Sequence, residues 1–423
     1  MKSLMMKSGC AAVFALVAGM ATAEVMDRPV GIKIGQRMTL KPYVSVSTSY
    51  DSNVDGRRDG SDDTVWLVNP GLGLEYKAEN WNLFANVFYQ YSAYAKNRCQ
   101  QANSGHTYGE DLTFRWANSK AGERGWSLML SEKYNRIDQT QNMSSGNGAG
   151  GYDRDRDEFK FAGAVQRRFT DKLHADVNAS YYWLDYDANN SAGTGYNGLF
   201  GWERWSVGGE IGYAFSPWTD LIIAGSYQQY DSQNADVQAN TSGISSDTHG
   251  WTVQGGIGSY ATDRITYRLL AGWSTYRYDS VGDSSDGFSY TVTSNWLISD
   301  TWNTMLLATS YYQPTERNYG SSQRVDELSW GISHLMVRGK LKGTFDLCYR
   351  RETHEYTADG ASSYDLDIMT FRLGLFYTIN RYVSIFGTGE FRDSMPSGGE
   401  DSDRGDYYDY DRFRATIGLK FTY

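Results

Sequence analysis

The sequence predicts an all-β fold: a transmembrane antiparallel β-barrel of about 18 strands, with about 16 as the alternative count, short periplasmic turns and long extracellular loops. Three observations predict it. Apolar and polar residues alternate with a period of two in one segment after another. The connections between those segments alternate between tight turns and long polar stretches. The chain ends on an alternating strand, ATIGLKFTY, directly after the acidic stretch GEDSDRGDYYDYD. Composition agrees, because 33 Tyr, 13 Trp and 45 Gly beside only 6 Pro suit pleated, half-buried strands. A net charge of -10 with no clustered basic surface argues against a nucleic-acid partner.

Taken in order, residues 1–23 read as a signal peptide. Lys2 and Lys7 precede the apolar run GCAAVFALVAGM, and Ala21, Thr22 and Ala23 supply the small residues a signal peptidase needs. That run is too short for a membrane helix, which needs roughly 20 residues. Cys10 stands at the start of the run, not after it, and leaves with the signal. Residues 24–38 form a periplasmic lead-in, and residues 39–423 form one barrel domain.

In TLKPYVSVSTSYD, Leu40, Pro42, Val44, Val46 and Tyr50 share one face, and Lys41, Tyr43, Ser45, Ser47 and Asp51 the other. WNLFANVFYQY and LKGTFDLCYR repeat the pattern. A soluble sandwich and a membrane barrel both produce such strands. The connections separate them. Tight turns fall at 78–80, 120–125, 170–171, 216–220, 262–264, 299–301, 338–340 and 380–381, and stretches such as DQTQNMSSGNGAGGYDRD lie between them. Sorting short and long connections to opposite ends is the topology of an outer-membrane barrel, and a sandwich has no reason for it. Tyr76, Trp81, Phe215, Trp218, Trp302, Tyr377 and Tyr382 sit beside the tight turns, as a periplasmic aromatic girdle requires.

In the last strand Phe413, Ala415, Ile417, Leu419, Phe421 and Tyr423 face lipid, while Arg412, Arg414, Thr416, Gly418, Lys420 and Thr422 face the lumen. Phe413, Ile417, Leu419, Phe421 and the terminal Tyr423 resemble the C-terminal signal read by the barrel-assembly machinery of Gram-negative bacteria. The implied surroundings are outer-membrane lipid and that machinery.

Residues 31–54, GIKIGQRMTLKPYVSVSTSYDSNV, resemble the opening of a β-barrel porin family often encoded with exopolysaccharide biosynthesis and export functions. In that family a Gly-x-x-x-Gly segment leads into a Leu-x-Pro strand ending in Tyr-Asp-x-Asn-Val. Here these are Gly31, Gly35, Leu40, Pro42, Tyr50, Asp51, Asn53 and Val54. The resemblance implies an outer-membrane location and a polysaccharide context; it implies no reaction.

Alternation assigns Lys41, Arg115, Lys133, Lys160, Arg268, Lys342, Arg350, Arg372, Arg412, Arg414 and Lys420 to the lumen, with the acids Glu75, Asp111, Asp176, Glu327, Asp346 and Glu390. A barrel of this size holds an aqueous channel. The first functional reading is therefore a pore for solutes or a conduit for exopolysaccharide, with basic walls favouring anions. Charges that pair along the wall and hold its shape are the bland alternative. The second reading is a closed barrel whose acidic, aromatic loops, with Tyr152, Tyr407, Tyr408 and Tyr410, bind glycan or a partner.

Asp51, Asn53, Asp55, Gly56, Asp59 and Asp62 have the spacing of a calcium loop, weakened by Asp at its last position and by a preceding strand. Enzymatic chemistry is not expected. His106, His249 and His354 are assigned to loops, His174 to a periplasmic turn and His334 to a lipid-facing row. None has a nucleophile or an orienting acid at a recognisable spacing. No cofactor is indicated; the periplasm permits a disulfide between Cys99 and Cys348, but their assigned strands lie far apart around the barrel, which argues against it.

Overall fold

The computed structural model describes residues 31–54, 60–96, 104–118, 124–137, 156–186, 202–232, 247–259, 264–278, 284–314, 321–337, 340–356, 364–397 and 409–423. The expected signal peptide, most of the extracellular loops and Cys99 lie outside the described residues, and Cys348 is a free thiol.

Every element is a strand: β1 (Ile32–Ile34), β2 (Met38–Asp51), β3 (Asp63–Lys77), β4 (Trp81–Tyr94), β5 (Ser104–Ala117), β6 (Gly125–Ile137), β7 (Arg156–Arg168), β8 (Leu173–Tyr186), β9 (Trp202–Ser216), β10 (Thr219–Ser232), β11 (Thr248–Ser259), β12 (Ile265–Tyr278), β13 (Ser284–Leu297), β14 (Trp302–Pro314), β15 (Ser321–Met336), β16 (Leu341–Tyr356), β17 (Tyr364–Thr378), β18 (Val383–Ser397) and β19 (Tyr410–Thr422). From β2 onward each strand pairs antiparallel with the next, and β19 returns to β2, with Thr422 opposite Tyr43 and Arg414 opposite Asp51. The result is a closed barrel of β2 to β19, the arrangement that lets strands cross a membrane.

All eight tight connections fall between the strands that the alternation separates. The shortest is Pro217-Trp218, between β9 and β10. The opposite end is less uniform than its sequence suggests. Residues 279–283 alone separate β12 from β13, and 315–320 alone separate β14 from β15. Several strands run further than periodicity marks, so His106, His249 and His354, assigned above to loops, lie on β5, β11 and β16.

The lead-in also contributes structure. β1 folds back on β2, with Ile32 opposite Leu40 and Ile34 opposite Met38. β19 stops at Tyr43 of β2, so β1 covers the stretch of β2 that would otherwise stand open. Gly35 makes the turn between them at φ +68°, a conformation that is cheap only for glycine. A Cβ at Gly31 would lie 2.6 Å from the Leu40 carbonyl oxygen.

The outward face is the apolar one. Ile417 and Leu373 are each 61% exposed, and Phe215, Trp218 and Ile223 are similarly bare. A continuous apolar belt on a closed cylinder is matched to lipid, not to water. At the short-turn end, Tyr76 stacks on Trp81 with ring centroids 4.7 Å apart, Trp302 on His334 at 3.9 Å, and Tyr382 on Tyr423 at 5.8 Å. Arg167 lies over Trp126 at 4.5 Å, and Arg381 over Tyr382 at 4.5 Å. At the loop end the outward tyrosines point their hydroxyls at carboxylates. Tyr134 donates to Asp157 at 2.7 Å, Tyr181 to Glu203 at 2.8 Å, and Tyr349 to Asp367 at 2.7 Å. These rings keep an apolar body in lipid and a polar tip in the headgroups.

Candidate functional site

Because side chains alternate across a strand, an apolar outer face commits the other face to the interior. The register puts Lys41, Arg115, Lys133, Lys160, Arg268, Lys342, Asp346, Arg350, Arg372, Arg412, Arg414 and Lys420 on that inward face. Many of them are engaged with carboxylates. Lys41 lies 3.0 Å from Glu75, Arg350 2.6 Å from Glu352, and Arg372 donates to Glu390 at 2.6 Å.

The strongest cluster locks the seam between the first and last barrel strands. Arg412 Nε donates to both oxygens of Asp51, at 2.8 and 3.1 Å, and its terminal nitrogen bonds Asp51 as well. Arg414 Nε adds a bond of 3.1 Å, and the Asn53 backbone N–H another of 3.2 Å. Charge-assisted, forked bonds of this kind are the strong ones, and they are stronger still away from water. The Asn53 side chain donates to the Asp411 carbonyl at 3.2 Å. The sequence Tyr-Asp-x-Asn-Val at the end of β2 is therefore a clasp onto β19. Among the residues with calcium-loop spacing, Asp51 holds two guanidinium groups and Asp62 pairs with Lys96. Asp55 and Asp59 lie outside the described residues.

The interior is unevenly filled. Side chains several strands apart in a round barrel of this size would not meet. Yet Arg268 on β12 lies 2.5 Å from Glu210 on β9, and Gln228 on β10 donates to the Tyr312 carbonyl on β14 at 3.1 Å. The cause is a split in the wall. β13 and β14 pair only from Thr291 opposite Thr309 to Leu297 opposite Asn303, and above that point β14 stays with β15 alone. The freed end of β14 turns inward behind β13. Ser289 donates to the Ser310 carbonyl at 3.1 Å, and Tyr312 packs on Tyr276. Ile222, Leu270, Tyr276 and Val325 are buried in this sector although they face the interior. On the opposite side the interior is wetter: Lys133 and Lys420 are exposed and the Arg372 side chain is 44% exposed.

Arg392 is among the inward cations outside the sequence assignment, as are Arg156 and Arg204, which share the face of Lys160 and Tyr182. Arg392 on β18 stands directly opposite Arg412 on β19 and beside Thr370 on β17. It follows Glu390 by two residues, so the alternation that assigns Glu390 to the lumen carried the signal for it.

The sequence matches the family described as Putative beta-barrel porin 2 over residues 27–408. The chain belongs to this family. With its apolar belt, membership places the protein in the outer membrane. No curated protein matches the sequence. Among solved structures, a ferric enterobactin receptor mutant from Pseudomonas aeruginosa is 9% identical, with 93% of this chain and 81% of that chain covered and a TM-score of 0.46. The FrpB iron transporter from Neisseria meningitidis is 9% identical, covering 92% and 82% with a TM-score of 0.45. The ferric-catecholate import receptor Fiu from E. coli K12 is 9% identical, covering 90% and 81% with a TM-score of 0.40.

Proposed function

We propose that this porin-family barrel is a channel for small solutes that favours anions and carries out no catalysis. The observation that supports this most is the wet, charge-lined side of the interior, where Lys133, Arg372 and Lys420 meet water beside a closed wall. Basic groups on a low-dielectric wall raise the local anion concentration. The inward end of β14 narrows the passage, which fits selection among small solutes better than free passage. Within the same reading, an exopolysaccharide chain is the polymeric cargo, and the strand from Phe413 to Tyr423 is what the barrel-assembly machinery engages.

A second reading is a closed barrel that binds glycan or a partner through its outer loops. The packed sector around Tyr276, Leu270 and Val325 favours it. A planar bilayer separates the two. Stable single-channel steps with a reversal potential on the anion side are expected. Cation preference removes the anion reading, and folded protein without conductance leaves the closed barrel. Block of the current by an anionic polysaccharide, absent with a neutral one, identifies the polymer as cargo.

A further inference from the structure

The Arg392 side chain is only 9% exposed, and its Nε has no hydrogen-bond partner. Among the described residues no carboxylate reaches it. The Tyr410 ring lies 5.8 Å from its guanidinium carbon. Directly across the strand pair stands Arg412, a like charge. Like charges opposite one another on one face repel, and a buried cation without a counter-ion is costly. The neighbouring guanidiniums are compensated: Arg372 by Glu390, Arg350 by Glu352, and both Arg412 and Arg414 by Asp51. Among the described residues, Arg392 is the one inward guanidinium of β16 to β19 without an anion.

We infer that Arg392 is the core of a binding site for the carboxylate group of a solute that enters from the lumen. The planar guanidinium fork matches a carboxylate in two parallel bonds. Thr370, beside Arg392 on β17, and Ser394, two residues along β18, put hydroxyls on the same inward face. Tyr410 stands on the loop-end side of Arg392, and the half-exposed Arg372 shares the inward face, opposite Glu390 two residues before Arg392 on β18. A free sugar acid and a uronic acid within a polysaccharide present the same group. The site deepens the channel reading, since the lumen delivers the anion.

The test is calorimetric titration of the refolded full-length barrel with sodium glucuronate, with glucose as the neutral control. Binding of glucuronate and not of glucose is expected. Arg392→Gln should weaken it by about 10- to 100-fold, the effect of one forked charge-assisted pair. Arg392→Lys, which keeps the charge without the fork, should fall between. Heat-modified gel migration confirms that each variant is folded. Competition by polygalacturonate assigns the carboxylate to a polymer; competition by glucuronate alone assigns it to a free solute. Unchanged binding in both variants, or no binding by the wild type, overturns the site. A barrel that conducts but does not bind loses the site and keeps the channel, whereas one that binds but does not conduct does the reverse.

Discussion

At the scale of single residues, Asp51 has the greatest effect per atom. Its two oxygens satisfy Arg412 and Arg414 across the seam, and both guanidiniums lose their counter-ion if it is neutralised. Breaking a buried pair from one side costs about 3–5 kcal/mol, because the remaining charge stays buried. Asp51→Asn should therefore lower the stability of the refolded barrel by about that amount, measured by guanidinium unfolding in detergent. Replacing Asp51 and Arg412 together by apolar residues should recover much of the loss. Equal stability of wild type and Asp51→Asn would show that the clasp carries no energy. The sequence exposed the chemistry of this position only in part. Alternation placed Asp51 and Arg412 on the inward face, but a period of two says nothing about which residues 361 positions apart become neighbours. Asp51, the first residue of the calcium-like spacing, is answered by arginines from the far end of the chain.

At the scale of elements, the tight turns and strand faces were legible because each is a local property: two to six residues with turn chemistry, flanked by alternation. The freed end of β14 was not. Its residues, SYYQP, continue β14 with nothing local to record that β13 abandons them beyond Thr309. β1 escaped for a different reason, since three residues are too few for a periodic signal. From β10, Gln228 anchors the inward end of β14 by a bond to the Tyr312 carbonyl. Gln228→Ala removes that bond at a cost of about 1 kcal/mol. The expected result is a larger and noisier single-channel conductance with unchanged ion preference. Conductance identical to wild type would mean that the β14 end does not border the ion path.

For the whole molecule, the outer surface sets where the barrel can reside. Leu373, 61% exposed and midway up the apolar belt on β17, has only lipid to contact. Leu373→Lys should cost about 2–4 kcal/mol of barrel stability in a bilayer, as a cation near the membrane midplane does. The same change at Thr388, two strand faces away on the inward row, should cost far less. Unfolding in lipid vesicles compares the two, and equal costs would refute the assignment of faces. Every ladder but one joins strands that follow each other along the chain, so those seams form as soon as their two strands exist. The exception, β19 against β2, cannot begin until β19 has been made and has reached the membrane. Until then the opening strand has one edge without a partner, and only β1 shields a short part of it. Assembly of this wall is thus a race between its final stitch and any stray strand that reaches the open edge first. A short, tightly charged fastening at Asp51 shortens the interval in which that race can be lost.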